Sequence, residues 1–256
     1  MSAVGLVLFM LTALVVGVRV LLLYRATRKL PELLLGTALI LALALAAGTY
    51  QGTAAKIWVP ADESTRAFLT AVGLAIECLG QMALILFSWH VFHATERWAK
   101  LVAVALVSAI GFALAGELAS GEYRRYADLT PISGPWVPLG LSARGAAPAW
   151  MAIECLAFYR KARRRLAIGL AEPIVVNRAL LWGVGIGASA LGYVVSVAHR
   201  LIYGTGLRAH ELALGLVSAL ALVAAACISL AFFPPEAYRR WIEQGASART
   251  PPGVSE

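Results

Sequence analysis

Two carboxylates stand where a carboxylate is costly. Glu77 and Glu154 each occur in the pentapeptide AIECL, at 75–79 and 152–156, inside long apolar runs. A lone carboxyl group kept from water is disfavoured in its charged form, so it serves either as a proton- or ligand-binding group or as a neutral hydrogen bond between helices. Thr70, Glu77, Gln81, Ser88 and Thr95 recur at four- and seven-residue spacing and form one stripe down a helix, which must face protein or water. Glu154 shares its face with Trp150 and Phe158, with Lys161 a further turn on, and needs a partner from another helix. In a third run Ser189, Tyr193, Ser196 and Arg200 follow one another at helical spacing. The candidate lining of a polar cavity is therefore Thr70, Gln81, Ser189, Tyr193 and the two glutamates.

A second cluster is Glu117, His199, Arg200, His210 and Glu211, at comparable depth toward one end of their runs. Two histidines and two carboxylates can bind zinc, but no fixed ligand spacing is present, and a solvated polar rim is the competing reading. We expect no metal site.

The elements that carry these residues are helices in lipid. Apolar residues make up 60% of the chain and charged residues 14%, far from a soluble domain. Mean hydropathy is +0.77. Apolar windows of crossing length fall at about 3–24, 33–50, 67–92, 101–120, 146–166, 178–203 and 210–233. The expected fold is thus all-α, a polytopic seven-transmembrane-helix bundle over 1–242 with a disordered tail over 243–256. The first window is expected to remain a span, because its first positive charge, Arg19, follows the apolar stretch.

The connections on one side hold fourteen Lys and Arg residues and those on the other hold seven, Arg144 among the seven. The richer side is expected to be cytoplasmic, with the N-terminus outside and the C-terminus inside. Trp58, Trp136 and Trp150 should mark the outer boundary, and Trp89, Trp98, Trp182 and Trp241 the inner one. All eleven prolines fall in the expected loops or at window ends, which predicts helices without proline breaks. The long connection "GEYRRYADLTPISGPWVPLG" reads as an outer cap or a floppy connector. Arg19 either pairs with a glutamate or reaches to the head groups. Gly183, Gly185, Gly187, Ser189 and Gly192 have the spacing of a close helix contact.

Several activities are excluded. Lysine occurs only at 29, 56, 100 and 161, all at span edges, so no retinal Schiff base can form within a span and no cofactor is expected. There is no nucleophile elbow, P-loop or dinucleotide fingerprint, and no enzyme is expected. Basic residues cluster at span ends without interleaved aromatics, which favours anionic lipid over nucleic acid. Cys78, Cys155 and Cys227 lie within apolar runs and read as small core residues.

Glu96-Arg97-Trp98 ends the third window and resembles the acidic-Arg-Tyr triplet of seven-transmembrane G-protein-coupled receptors. Pro234-Pro235-Glu236-Ala237-Tyr238, followed by the amphipathic "YRRWIEQ", is similar to that family's Asn-Pro-x-x-Tyr. The resemblance implies a cytoplasmic switch at Glu96, Arg97 and Tyr238. The chain lacks the Asn before the proline, a paired outer-loop cysteine and a Trp-x-Pro in the sixth window. "TRKLPELLLG" and "FFPPEAYRRW" are similar to segments of uncharacterised bacterial membrane proteins, which implies a bacterial inner membrane.

The sequence supports a receptor- or sensor-like binding module for a small molecule, in which Arg163, Arg164 and Arg165 offer a contact to a cytoplasmic or membrane protein partner or to anionic lipid. A small proton-coupled carrier using Glu77 and Glu154, and a non-catalytic structural subunit, are the alternatives.

Overall fold

A computed structural model describes residues 2–46, 62–126, 134–204 and 210–247. Trp58, Lys56, Arg208, the middle of the long connection and the tail beyond 247 lie outside the described residues. Eight α-helices and no strand occur among those described: α1 (Ser2–Thr27), α2 (Leu30–Ala38), α3 (Glu63–Phe92), α4 (Arg97–Ser120), α5 (Trp136–Ala167), α6 (Pro173–Tyr203), α7 (Glu211–Phe232) and α8 (Glu236–Ser247). A π-helical segment, Leu39–Leu45, extends α2, and a 3-10 turn, Glu122–Tyr126, follows α4.

Five helices, Val7–Thr27 within α1 together with α3, α4, α6 and α7, are long and apolar enough to cross a membrane. The other two long elements are less apolar or shorter. Leu30–Leu45 is a short apolar helix, and α5 carries Arg144, Glu154 and a basic C-terminal turn.

Contacts close these helices into a ring in the order α1, α2, α3, α5, α6, α7 and back to α1, while α4 packs against both α3 and α5. One buried apolar cluster runs through the ring, including Val16, Leu39, Leu74, Met151, Ile186 and Ile228. Helices with no water outside must satisfy every backbone group internally, and small residues let them approach closely enough to pack. Gly183 lies against Leu156 of α5, and Gly185 against Cys227 of α7. Gly183 and Gly185 are thus packing residues on the two neighbours of α6, whereas Gly192, expected to join them, has nothing within 4 Å of an added Cβ.

The π segment has a related cause. A Cβ on Gly80 would stand 2.4 Å from the backbone nitrogen of Ala42, so α2 lies backbone to backbone on α3 where its turn widens.

Three expectations are corrected. The fifth helix begins at Trp136, ten residues before the apolar window, and Pro148 lies inside it. Proline has no N–H, so Pro148 cannot close the helical bond to the carbonyl of Arg144 four residues earlier; the helix continues because its neighbours hold it. Trp150, placed at the outer rim by the sequence, is fourteen residues into α5, about 21 Å from its start at helical rise.

Arg19 is exposed and reaches the end of α7. Its Nη1 donates to the carbonyl of Phe232 at 3.3 Å and its guanidinium lies over the Phe233 ring at 4.7 Å, satisfying the C-terminal end of α7. The three cysteines are free.

Candidate functional site

The start of α5 decides the site. Glu122 in the 3-10 turn is buried, and its Oε2 accepts the Val137 N–H at 3.1 Å, capping the helix. The Trp136 ring rests where a Cβ on Gly116 of α4 would be and meets Phe112 edge-on at 5.3 Å. Anchored at this point, α5 carries Arg144 eight residues inward, about 12 Å along its axis.

Arg144 is 1% exposed. Its Nη1 donates to both carboxylate oxygens of Glu117 in α4, at 3.2 and 3.4 Å, and its Nε stands 3.5 Å from Oε1 of Glu77 in α3. Glu117 is fully buried and Glu77 nearly so. The Tyr193 hydroxyl of α6 donates to Glu77 Oε1 and accepts from Gln81 Nε2 at 2.9 Å. Four helices therefore meet in one polar cluster: two acids, one guanidinium, one phenol and one amide.

Glu77 is near the middle of α3, so the cluster sits at mid-length of a helix that spans the bundle. Charges there are stable only when paired and hydrogen-bonded.

Two small residues open the space. A Cβ on Gly140 would fall 1.8 Å from Oε1 of Glu117, and a Cβ on Gly145 would fall 2.8 Å from Cβ of Tyr193.

Of the six residues expected to line a cavity, Glu77, Gln81 and Tyr193 come together. Thr70 is buried on the predicted stripe but donates to its own helix at the carbonyl of Arg66, 2.8 Å away. Ser88 does likewise to Leu84, and Thr95 is exposed in the turn after α3, where the stripe ends. Ser189 is half-buried one turn from Tyr193 and donates to Gly185.

Glu154 belongs to a second place. It lies ten residues beyond Arg144 on α5, and its Oε1 is 2.9 Å from Nε2 of His93, the residue that caps the C-terminal end of α3. Trp150 Nε1 also donates to it, at 3.1 Å. The other ring nitrogen of His93 is 3.3 Å from Glu96, the N-cap of α4. Burial lowers the basicity of the His93 imidazole, but its hydrogen bonds to Glu154 and Glu96 and their charges outweigh burial and raise its pKa. Contact with His93 and Trp98 lowers the Glu96 pKa.

Beside this pair opens a pocket of about 430 Å³ between the ends of α3, α5 and α6. Phe92, Met151, Phe158 and Trp182 form much of its wall; Lys161 and Arg178 are its cations.

Glu117 pairs with Arg144, the His199 ring meets those of His210 and Tyr203, at 4.8 and 5.0 Å between centroids, and Glu211 is exposed. No group of three or more His, Cys, Asp or Glu side chains suited to a metal ion occurs among the described residues. Arg97, Arg163, Arg164 and Arg165 are exposed, and the Tyr238 hydroxyl accepts from Asn177 at 2.9 Å, tying α8 to α6.

No family model matches the chain, and no curated protein or solved structure matches it. The site therefore has to be read from its own chemistry.

Sequence reasoning missed Arg144, which it counted among the outer-loop cations. Two signals were present: two intramembrane glutamates without a cation, and the run from Gly140 through Ala143, Gly145, Ala146 and Ala147, whose small side chains suit a tightly packed helix.

Proposed function

We propose that the chain is a seven-span integral membrane protein with its N-terminus outside, lodged in a bacterial inner membrane and working as a receptor- or sensor-like binding module. Its ligand enters the pocket at the ends of α3, α5 and α6, and the Arg144 cluster is the element those helices share. The observation that carries this reading is that all three helices of the pocket also contribute to the cluster, about 15 Å away along α5 by the spacing of Glu154 and Arg144. An occupant that shifts α5 against α3 changes the distance between Arg144 and Glu77, a differential contact of the kind a two-state switch requires.

The topology is supported by charge. With Arg144 removed from the outer seven, six basic residues remain there against fourteen on the other side. In α8, Trp241 is exposed beside Arg239 and Arg240, as suits a helix lying along the inner head groups.

The test is native mass spectrometry of protein extracted gently from its own membrane, with Ala157→Phe, a substitution in the pocket wall, filling the pocket. Binding predicts a stoichiometric adduct on the wild type that Ala157→Phe loses. An adduct-free wild-type mass, or an adduct untouched by the substitution, contradicts it.

A second reading is favoured by a separate observation. Glu122, Glu117, Glu77 and then Glu154 with His93 follow one another along α5 from its first turn to its inner half. A file of acids suits a proton-coupled carrier. Its test is proton flux into proteoliposomes, which Glu77→Gln must abolish.

A further inference from the structure

The antiparallel register of α5 and α6 places two like charges face to face. Gly145 lies on Tyr193, Ala152 on Gly187 and Leu156 on Gly183, each step along α5 matched to within one residue by a step back along α6. Continued by little more than one turn, that register sets Lys161 opposite Arg178. Both line the same pocket, and both are exposed.

Lys161 acts on Glu96 only electrostatically, and neither cation has an ion-pair partner within 4.0 Å among the described residues. The one carboxylate in the pocket wall, Glu154, is already held by His93 and Trp150. Facing cations repel unless an anion lies between them. Deeper in, the wall is apolar, with Phe92, Met151, Phe158 and Trp182.

We propose that this pocket binds an anionic lipid from the surrounding bilayer, its acidic head clasped between Lys161 and Arg178 and an acyl chain laid against Phe158 and Trp182. Charge complementarity selects the head, and the apolar wall selects an amphiphile over a soluble anion. A volume of about 430 Å³ fits one head with the first part of one chain, and the remainder stays in the bilayer. The assignment rests on the binding function proposed above and names its ligand class.

The experiment titrates purified full-length protein with phosphatidylglycerol or phosphatidylcholine of identical chains and follows retention by native mass spectrometry. Wild type is compared with Lys161→Gln/Arg178→Gln and with Arg25→Gln/Lys29→Gln, which alters two exposed cations outside the pocket. The proposal predicts one phosphatidylglycerol retained in preference to phosphatidylcholine. It further predicts about a tenfold or greater loss in the pocket double variant and less than about a twofold loss in the control.

Equal retention of the two lipids, or equal losses in the two double variants, overturns it. So does displacement of the lipid by inorganic phosphate, which would mark a site for soluble anions. If the wild type retains a different adduct that Ala157→Phe removes, the lipid assignment fails and the binding function stands. If it retains no adduct of any kind, both fail.

Discussion

Arg144 and Glu117 meet at 3.2 Å with both side chains removed from solvent, although one comes from α5 and the other from α4. Glu77 approaches the same guanidinium from α3, so the most buried guanidinium among the described residues joins three helices. Breaking such a pair strands a charge and costs far more than the pair contributes.

Gly140 makes room for that contact. A Cβ there would stand 1.8 Å from Oε1 of Glu117 and 3.0 Å from Nη1 of Arg144, so Gly140→Ala should destabilise the fold by about 1 to 3 kcal/mol. Gly192 of α6 has nothing within 4 Å of an added Cβ, so Gly192→Ala should be neutral or stabilising by up to about 1 kcal/mol. Thermal unfolding of the two variants side by side checks the difference.

Tyr193 is the link from the cluster to α6. Tyr193→Phe removes both the donor to Glu77 and the acceptor for Gln81, and should lower stability by about 1.5 to 3 kcal/mol. Ser189→Ala, one turn away, loses only a bond to its own helix and should cost less than about 1 kcal/mol. Chemical denaturation in one detergent ranks them.

His93 predicts a pH dependence with a definite sign. Its pKa is raised in the folded protein, so the folded state binds its proton more tightly than the unfolded chain does. The resulting stabilisation is complete below the unfolded value near 6.5 and is lost as pH rises through the higher folded value. Glu96, with a lowered pKa, acts in the acid range instead: its contribution is present above the unfolded value near 4.5 and falls away as pH drops through the folded one. The melting temperature of the wild type should therefore fall from pH 6 toward pH 8, and His93→Gln should flatten that slope.

Orientation is checked by fusion. A fluorescent protein at the C-terminus should fold and fluoresce inside, and alkaline phosphatase at the N-terminus should be active outside. The reverse pattern would remove the charge argument for topology.

Much of this was legible in the residues themselves. The helical class, the buried stripe of Thr70, Glu77, Gln81 and Ser88, and the packing glycines of α6 follow from periodicity, because one helix face is all that spacing needs to define. The stripe's last member, Thr95, failed because α3 ends at Phe92. Repetition of AIECL misled about depth: Glu77 is central, while Glu154 lies beside the His93 cap, since α5 starts ten residues before its apolar window. Hydropathy could not find that start, for Arg144 depresses the average of the very segment that buries it. Only the partners across space, Glu117 and Glu77, make a buried arginine affordable, and no local window contains them.

The most direct measurement compares the stability of Arg144→Met with that of Arg144→Met/Glu77→Gln/Glu117→Gln. If Arg144 is the shared counter-ion of the two glutamates, the single variant should lose about 3 to 5 kcal/mol and the triple should regain most of it, because neither carboxylate then faces the missing guanidinium. A neutral Arg144→Met, or a triple variant that only adds further loss, would contradict a buried ionic cluster at the centre of this bundle.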